Sequence, residues 1–374
     1  MSAEGFFREL LAEADIAIDG ERPWDLQVRD ARAYERILKD GSIGFGEAFM
    51  EGWLECERVD QMAERAYRAD LAGRIDRKTA LFEAFKARLN PFGARGRSFE
   101  IGAHHYDAGN DLFEIMLDQR MIYSCGYWLR AEDIEQAQRD KLELVCRKLQ
   151  LEPGMRLLDI GCGWGGLAAY AAEHFGVSVV GVTVSREQLK LGRERCRGLP
   201  VELRYQDYRD LDEPFERIVS VGMFEHVGRA HYPAFFAACA RCLAPQGLLL
   251  LHTVGYPQED VINPWYDKYV MPGVEFPTVA NIAIALPAAL RLEHFHSLEG
   301  AHYDRTLMAW FERFDTGWDR LAGRYGETFR RMWKLYLQGC AGAFRTEQMR
   351  VWQIVFSAGP LPGGYRFGHK GALD

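Results

Sequence analysis

A glycine-rich turn is the first feature of this sequence that could bind a ligand. Residues 159–166 read D-I-G-C-G-W-G-G and continue a short apolar run. Glycines at such a turn let the backbone adopt positive φ angles or lie against a ligand, and the helix that follows adds unpaired N–H groups. A G-x-G turn alone fits a dinucleotide, another ligand with a compact polar end, or an ordinary connection between strand and helix. The bulky Trp164 stands where a dinucleotide fingerprint leaves room for pyrophosphate, which argues against the first of these.

Two side chains capable of acid–base chemistry follow later apolar runs. Glu225 comes shortly after the run 218–221, and His252 lies near the end of the run 248–254. In open α/β sheets, ligands bind beyond the carboxyl ends of the strands. We therefore expect Asp159, Glu225 and His252 at one edge of a common sheet.

The elements that must position these residues alternate between strand and helix from about residue 155 onward. Helical patterns such as 186–197 and 232–243 separate short apolar runs, which implies right-handed crossovers and a parallel sheet with helices on both faces. We predict an α/β, Rossmann-like fold with a seven-stranded, mostly parallel sheet, preceded by a small helical domain. The predicted domains are residues 1–95 and 96–374. The predicted strands are residues 156–160, 177–182, 201–205, 218–221, 248–254, 290–298 and 351–357.

The composition is that of an ordinary globular protein, with 48% apolar and 27% charged residues among 374. The formal net charge of −8 argues against a nucleic-acid partner. No run reaches the roughly 18 apolar residues that span a bilayer, and the first 20 residues are interpreted as an amphipathic helix rather than a signal peptide. Eight scattered cysteines fit reduced, cytoplasmic thiols. Cys239 and Cys242 are interpreted as core thiols and not as half of a zinc site, so no metal is predicted.

One stretch departs from this acidic background. Between Glu64 and Arg97 there are nine basic and four acidic residues, a local net charge of +5, together with apolar residues at roughly helical spacing. Two interpretations remain open and compatible. The stretch is an amphipathic helix packed on the second domain, or a surface that meets anionic lipid headgroups.

Several motifs together resemble those of one family. The D-I-G-C-G stem resembles the first motif of class I S-adenosylmethionine-dependent methyltransferases. The whole set resembles the bacterial cyclopropane-fatty-acyl-phospholipid synthases over nearly the entire chain. Mycolic acid cyclopropane synthases share much of the catalytic half, but the long N-terminal region favours the phospholipid enzymes. The motifs are Y-D-A-G-N-D-L-F at 106–113, Y-S-C-G-Y-W at 123–128, S-V-G-M-F-E-H-V-G at 220–228, L-H-T-V-G at 251–255, Y-D-R-T-L-M-A-W at 303–310 and C-A-G-A-F-R at 340–345.

The resemblance implies that S-adenosylmethionine binds at the glycine turn. Asp159, Gly161 and Gly163 would hold its methionine end, and Tyr123 and Ser124 would reach its carboxylate.

The remaining cofactor contacts are predicted at the ends of the second and third strands. No acid ends the second strand, so Thr183 and Gln188 are the candidates to present polar groups to the ribose, while Ser185 and Gln188 also have the form of a capping box. Asp207 and Tyr208 follow the third strand, where such folds hold adenine. The alternative for Asp207 is a solvated turn.

The resemblance also implies a reaction and a second small ligand. The cis double bond of a phospholipid acyl chain attacks the sulfonium methyl, a carbocation forms, and bound bicarbonate removes a proton so that the ring closes. Its ligands would be Cys125, Glu225, His252, Tyr303 and the backbone N–H of Val254. Relatives often have Ile at position 254, but only the backbone is needed.

Two nearby residues are assigned lesser roles. His226 is the rival of His252 as the functional histidine and is assigned to packing of the following turn. Cys340 is interpreted as a structural residue near the pocket.

The partners implied are unsaturated phospholipids at the inner face of the membrane, with the enzyme peripherally associated, and a second copy of the chain in a homodimer. Three functions compete with ring closure. They are a fatty acid C-methyltransferase that gives a methyl or methylene branch, a small-amine N-methyltransferase, and a lipid-binding protein without turnover.

Overall fold

The computed structural model describes residues 2–71, 109–260 and 262–367, which form two compact units. The first unit takes its described residues from 2–71, Glu259–Pro272 and Tyr303–Met349. The second takes them from 109–258, Gly273–His302 and 350–367. The predicted domain boundary after residue 95 lies outside the described residues and stays a prediction. The segments Glu259–Pro272 and Tyr303–Met349, which the sequence-based division placed in the catalytic domain, cluster with the N-terminal residues.

The helices of the described segments follow one another along both units. They are α1 (Ala3–Ala12), α2 (Arg32–Met50), α3 (Val59–Arg68), α4 (Asn110–Met116), α5 (Ile134–Lys148), α6 (Gly166–Phe175), α7 (Arg186–Arg195), α8 (Tyr232–Cys242), α9 (Pro264–Tyr269), α10 (Val279–Ala285), α11 (Gly300–Thr316) and α12 (Ala322–Arg345).

A seven-stranded sheet forms the second unit, as predicted. Its strand order is β5-β4-β3-β6-β7-β9-β8, and β9 runs antiparallel to both β7 and β8 while the other neighbours are parallel. A two-stranded antiparallel sheet, β1 with β2, lies in the first unit. The strands are β1 (Gln27–Val28), β2 (Leu54–Glu55), β3 (Arg156–Ile160), β4 (Ser178–Thr183), β5 (Val201–Tyr205), β6 (Phe215–Val221), β7 (Leu243–Gly255), β8 (Leu290–Leu298) and β9 (Arg350–Ala358).

Strand bounds differ most from prediction at β6 and β7. Prediction began these strands at residues 218 and 248, whereas both begin earlier in the structure. The cause is a register shift that pairs Phe215 with Leu243. The pairing carries β7 across Pro245 and Gly247, residue types that mark a break in local sequence.

Apolar side chains fill a core on each face of the sheet because successive strand residues point to opposite sides. Leu157 belongs to the core covered by α5 and α6, and Leu158 belongs to the core covered by α8. Cys239 and Cys242 are buried in the latter core as free thiols.

The first unit is built on helices. The helix predicted at the N-terminus is α1, capped by Ser2, whose hydroxyl accepts from the Gly5 N–H. Helix α3 packs on α12 at Gly342, where an added Cβ would lie 2.7 Å from the Cβ of Ala63. A larger residue at this position would push the two helices apart.

The basic stretch between residues 64 and 97 lies mostly outside the described residues. Within its described part, the Arg65 guanidinium lies 3.9 Å from the ring centre of Trp24, and Leu71 is buried. No helix in the described part of the chain is both long enough and apolar enough to cross a membrane.

Candidate active site

The glycine turn between β3 and α6 has the backbone conformation that its sequence predicts. Gly161, Gly163 and Gly165 have φ angles of +83°, +54° and +77°, which L-residues with a side chain rarely adopt. A Cβ on Gly161 would lie 2.6 Å from the Cγ of Met223, whereas a Cβ on Gly163 would meet nothing within 4 Å. The turn is therefore closed on one side and open to a ligand on the other.

A pocket in the second unit is lined by this turn and by the ends of β4, β5 and β6. All nine residues predicted to bind the cofactor line it. These are Tyr123, Ser124, Asp159, Gly161, Gly163, Thr183, Gln188, Asp207 and Tyr208.

Asp159 is the penultimate residue of β3, and its carboxylate is almost fully buried. Its Oδ2 atom has no hydrogen-bond partner among the residues that the structure describes. Burial raises the pKa of Asp159 to about 7, and the nearby Lys141 opposes that rise. A buried carboxylate oxygen without a partner suits the ammonium group of a ligand, so this part of the pocket fits the methionine end of S-adenosylmethionine.

Lys141 is a pocket residue that sequence analysis missed. It has no exposed surface, and its Nζ donates to Ser124 Oγ over 2.8 Å. Burial lowers the pKa of Lys141 to about 8. Gln138, one turn earlier on α5, donates from Nε2 to the carbonyl of Ser124 over 2.8 Å. The sequence did contain a signal for Lys141. It lies on the same helical face as Ala137 and Val145, which are both fully buried in the structure.

The ribose candidates form a small hydrogen-bonded group at the end of β4. Thr183 Oγ1 donates to Gln188 Oε1 over 3.2 Å and accepts from the Ser185 N–H over 3.1 Å. Ser185 Oγ accepts from the Gln188 N–H over 3.3 Å, which is one half of the predicted capping box. Capping and pocket lining therefore coexist in these residues.

The Asp207 side chain is buried, although the turn that follows it contains no buried residue. It is 3% exposed and caps the 3-10 turn Tyr208–Asp210. Its carboxylate accepts from the backbone N–H of Arg209 over 2.9 Å and from the guanidinium of the same residue over 2.5 Å. The carboxylate itself is not solvated, because Arg209 holds it inside the protein.

Glu225 lies on the 3-10 turn Phe224–His226 that follows β6, and its side chain is buried. Its Oε1 accepts from the Val254 N–H over 2.6 Å, so two of the predicted anion ligands contact each other. Its Oε2 has no hydrogen-bond partner in the described part of the chain. Burial raises the pKa of Glu225 to about 7.

His252 and Cys125 are buried in the same unit. His252 stands opposite Val221 in the β6–β7 pairing and is 2% exposed. Burial, together with the positive charges of Lys141 and Lys148, holds the pKa of His252 far below its usual range, so the imidazole is neutral. The Cys125 thiol is 1% exposed and donates to the carbonyl of Gly126 over 3.3 Å.

Tyr303, the fifth predicted ligand, belongs to the first unit and is half-buried there. Its ring lies 4.4 Å from that of Phe344, measured between ring centres. The neighbouring Asp304 is bound by the guanidinium of Arg345 through contacts of 2.8 and 2.9 Å. These contacts hold α11 against α12 beside the tyrosine.

His226 does more than pack the turn that follows it. It lines the cofactor pocket, and burial lowers its pKa to about 4. Trp164 also lines the pocket, and its Nε1 donates to Asn110 Oδ1 over 2.9 Å. Asn110 belongs to the motif at 106–113, one of those on which the resemblance rests. No group of three or more metal-binding side chains occurs among the described residues.

Comparison with known proteins identifies the class. The structure is similar to that of the mycolic acid cyclopropane synthase CmaA1 complexed with SAH and CTAB, with a TM-score of 0.65 and 32% identity over 69% of this chain and 98% of that chain. The seven-stranded sheet, the pocket at the carboxyl ends of its strands and this similarity define an S-adenosylmethionine-dependent methyltransferase.

The family follows from sequence comparison. Residues 94–354 match the sequence profile of the mycolic acid cyclopropane synthetase family, and the chain belongs to that family. It is 49% identical to the cyclopropane-fatty-acyl-phospholipid synthase of Escherichia coli (strain K12) over 354 residues, which cover 94% of this chain and 92% of that protein. It is 40% identical to a probable fatty acid methyltransferase of Pseudomonas putida over 348 residues, or 88% of this chain and 85% of that protein. The predicted resemblance is thus confirmed.

Proposed function

We propose that this protein is a cyclopropane-fatty-acyl-phospholipid synthase. It transfers a methylene group from S-adenosylmethionine to the cis double bond of an unsaturated phospholipid acyl chain. The single observation that carries the proposal is the 49% identity with the Escherichia coli synthase over 94% of the chain.

Methyl transfer to an alkene sets two demands on the pocket. An alkene is a weak nucleophile, so the reacting atoms must be held close and aligned in a site that excludes water. Asp159 supplies a buried carboxylate oxygen for the cofactor's ammonium, and Lys141 with Ser124 supplies donors for its carboxylate. These contacts would anchor the methionine end, so that the sulfonium methyl faces one direction.

Ring closure requires that a proton leave the new methyl group of the carbocation. Bicarbonate, when bound, would supply the base for this step. Cys125, Glu225 and His252 of the second unit would hold it, and the Val254 N–H, which donates to Glu225 Oε1, would orient that carboxyl group. The buried, unpartnered Oε2 of Glu225 supports the assignment, because it can accept a hydrogen bond from the O–H of the anion. The neutral imidazole of His252 can donate one.

A second candidate function is a fatty acid C-methyltransferase that leaves a methyl or methylene branch. The 40% identity with the probable fatty acid methyltransferase of Pseudomonas putida favours it as the alternative. Both reactions share the first step and differ in the fate of the carbocation. A small-amine N-methyltransferase would leave the lipid unchanged.

The test is incubation of the full chain with methyl-labelled S-adenosylmethionine and vesicles of cis-monounsaturated phospholipid. The acyl chains are then examined by mass spectrometry and proton NMR, which separate a ring from a methylene branch of equal mass. We expect cyclopropane chains in bicarbonate-containing buffer and a large loss of rate in buffer purged of carbon dioxide. Branched chains alone would establish the second candidate, and unlabelled lipid at every composition would exclude both.

Access to lipid is the part of the proposal that concerns residues 64–97. We infer that this basic stretch meets anionic headgroups at the inner face of the membrane, where the cytoplasmic enzyme associates peripherally as a homodimer. Replacing Arg74, Arg77 and Lys78 by Glu should lower activity on anionic vesicles and spare activity on dispersed lipid. The matched control replaces the exposed Lys190, Arg197 and Arg291 by Glu.

Equal losses in the two triple variants would show that net charge, and not this stretch, governs access. Sedimentation equilibrium of the wild-type chain tests the homodimer, which a monomer at micromolar concentration would exclude.

A further inference from the structure

Three side chains form a row across the three strands at one edge of the sheet. Gln353 on β9 pairs in register with His252 on β7 and, on its other side, with His296 on β8. Gln353 has no exposed surface, and His252 is 2% exposed. Because the ladder hydrogen bonds fix the strands, the positions of these three residues relative to one another are also fixed.

Lys148, at the end of α5, joins this row from the helix that covers the sheet. Its Nζ donates to Gln353 Oε1 over 2.7 Å and lies 2.6 Å from His296 Nδ1. Gln353 Nε2 in turn lies 3.2 Å from His252 Nδ1. The result is a continuous buried chain from Lys148 through Gln353 to His252.

The protonated form of Lys148 fixes the donors and acceptors along this series of contacts. A lysine ammonium has donors and no acceptor, so the carboxamide must turn its oxygen toward Lys148. The carboxamide nitrogen then faces His252 and donates, so Nδ1 of that imidazole must accept. A neutral imidazole whose Nδ1 accepts carries its proton on Nε2.

We propose that Lys148 and Gln353 are positioning residues that hold His252 in the Nε2–H tautomer, so that the imidazole presents a donor to a bound anion. The tautomer follows from contacts within the second unit alone. The anion is the bicarbonate of the proposed function, and that part of the inference rests on it.

The burial of Lys148 sets it apart from a packing residue. It has no exposed surface, and burial lowers its pKa to about 7. The other neighbours of Lys148 do little to offset the loss of hydration of its ammonium group. The ring centre of Phe367 lies 5.5 Å from Nζ, and the Tyr365 hydroxyl donates to the backbone carbonyl of Lys148 and not to its side chain. An apolar residue of the same length would avoid the desolvation cost, so the presence of a lysine here points to a role for its donor.

Helix α5 carries, on one face, residues that position the cofactor pocket and residues that position His252. Gln138 and Lys141 contact the Ser124 segment beside the cofactor pocket, and Lys148, two turns later, contacts Gln353. Positions separated by seven residues lie on the same helical face. One rigid element therefore sets the position of the cofactor pocket and the orientation of His252.

The first test measures the tautomer directly in the full chain. Nitrogen-15 NMR of histidine-labelled protein distinguishes a protonated from an unprotonated ring nitrogen, and His252→Asn assigns the signal. We expect a protonated Nε2 and an unprotonated Nδ1 in the wild type. Gln353→Glu preserves the shape and replaces the donor by an acceptor, so the proton should move to Nδ1 or the ring should become charged. A protonated Nδ1 in the wild type, or an unchanged pattern in Gln353→Glu, would overturn the proposal.

The second test measures what the tautomer does. Gln353→Glu should raise the bicarbonate concentration needed for half-maximal rate by about ten- to a hundredfold, as is typical when a supporting hydrogen bond is removed. Gln353→Met and Lys148→Met should show smaller increases, because they remove the constraint without reversing it. Binding of S-adenosylhomocysteine, measured by calorimetry, should stay within about twofold, or ~0.4 kcal/mol, in all three.

The outcomes separate this inference from the proposed function. Absence of bicarbonate dependence and ring product in the wild type would reject the proposed function, while the NMR result still decides the tautomer. If Gln353→Glu reverses the tautomer but leaves the bicarbonate dependence unchanged, Lys148 and Gln353 have no role in anion binding. Equal losses of cofactor affinity and rate in all three variants would show that Lys148 and Gln353 serve folding alone.

Discussion

The Val254 backbone N–H donates to Glu225 Oε1 over 2.6 Å and so links the end of β7 to the turn after β6. One carboxylate oxygen is used by this structural bond, and the other is buried without a partner in the described residues. The carboxyl group is thus oriented by the backbone and still has an acceptor to offer. Its predicted role depends on this division between its two oxygens.

Replacing Glu225 by Gln should lower kcat far more than it lowers cofactor affinity. The amide keeps an oxygen for the Val254 N–H but can place a donor where an acceptor is needed. We expect a loss of about a hundredfold or more in kcat, as for removal of a group that handles a proton, with S-adenosylhomocysteine affinity within about twofold. Rate assays and calorimetry measure the two effects. The control is Glu187→Gln at an exposed position of α7, and parallel losses of rate and affinity in Glu225→Gln would contradict the role.

The same residue should make the stability of the fold depend on pH. Burial raises the pKa of Glu225 from 4.5 in a model compound to about 7, so the folded state binds the proton more tightly than the unfolded state. The stabilising contribution is complete below about pH 4.5 and is lost as the pH rises through about 7. Across this window the wild type should lose about 3 kcal/mol relative to Glu225→Gln. Urea denaturation of both proteins at pH 5, 6, 7 and 8 gives the difference, and a difference independent of pH would contradict the shift.

The ion-pair cluster around Arg345 should contribute to the stability of the first unit. Its guanidinium contacts Asp60, Glu64 and Asp304 over 2.8 to 3.1 Å, and the Asp60 side chain has no exposed surface. Arg345→Ala would leave Asp60 with Arg58 as its guanidinium partner and Asp304 without its contacts to Arg345, so we expect a loss of about 1–3 kcal/mol in unfolding free energy.

The matched control for Arg345 is Arg68→Ala. Arg68 also pairs with Glu64, but its side chain is 65% exposed, so the loss should stay below about 1 kcal/mol. Denaturant midpoints measure both variants. Similar losses would show that burial does not distinguish the two pairs.

Local patterns were enough to predict the sheet and the cofactor pocket. Residue type predicts the glycine turn, and the spacing of apolar residues predicts the short strands. The carboxyl ends of parallel strands must then lie along the same side of the sheet. The bounds of β7 were missed because its start depends on pairing with Phe215, which lies in another strand. The sequence also left the segments around Tyr303 with the catalytic domain, since nothing local shows that α12 packs on α3.

The positioning residues could not be predicted for the same reason. Lys148 and Gln353 are 205 positions apart, and Lys141 and Ser124 are 17 apart. In the sequence each is an ordinary polar residue of a helix or strand. Their roles arise only when the fold removes them from water and leaves each with a specific partner.

Lys141→Met should weaken cofactor binding, whereas Lys148→Met on the same helix should not. Lys141 lines the cofactor pocket and donates to Ser124, and its charge opposes the rise in the pKa of Asp159. Without that charge, Asp159 would be largely protonated at pH 7 and would lose its attraction for the ligand's ammonium group.

We therefore expect S-adenosylhomocysteine affinity to fall by about ten- to a hundredfold in Lys141→Met at pH 7, or ~1.4 to 2.7 kcal/mol. Part of the loss should be recovered at pH 9, where a larger fraction of Asp159 is ionised than at pH 7. Both lysines are fully buried, so Lys148→Met controls for the loss of a buried charge in α5. Calorimetry at both pH values decides the matter. Equal weakening by the two substitutions would mean that damage to the helix, and not the charge beside Ser124, accounts for the change.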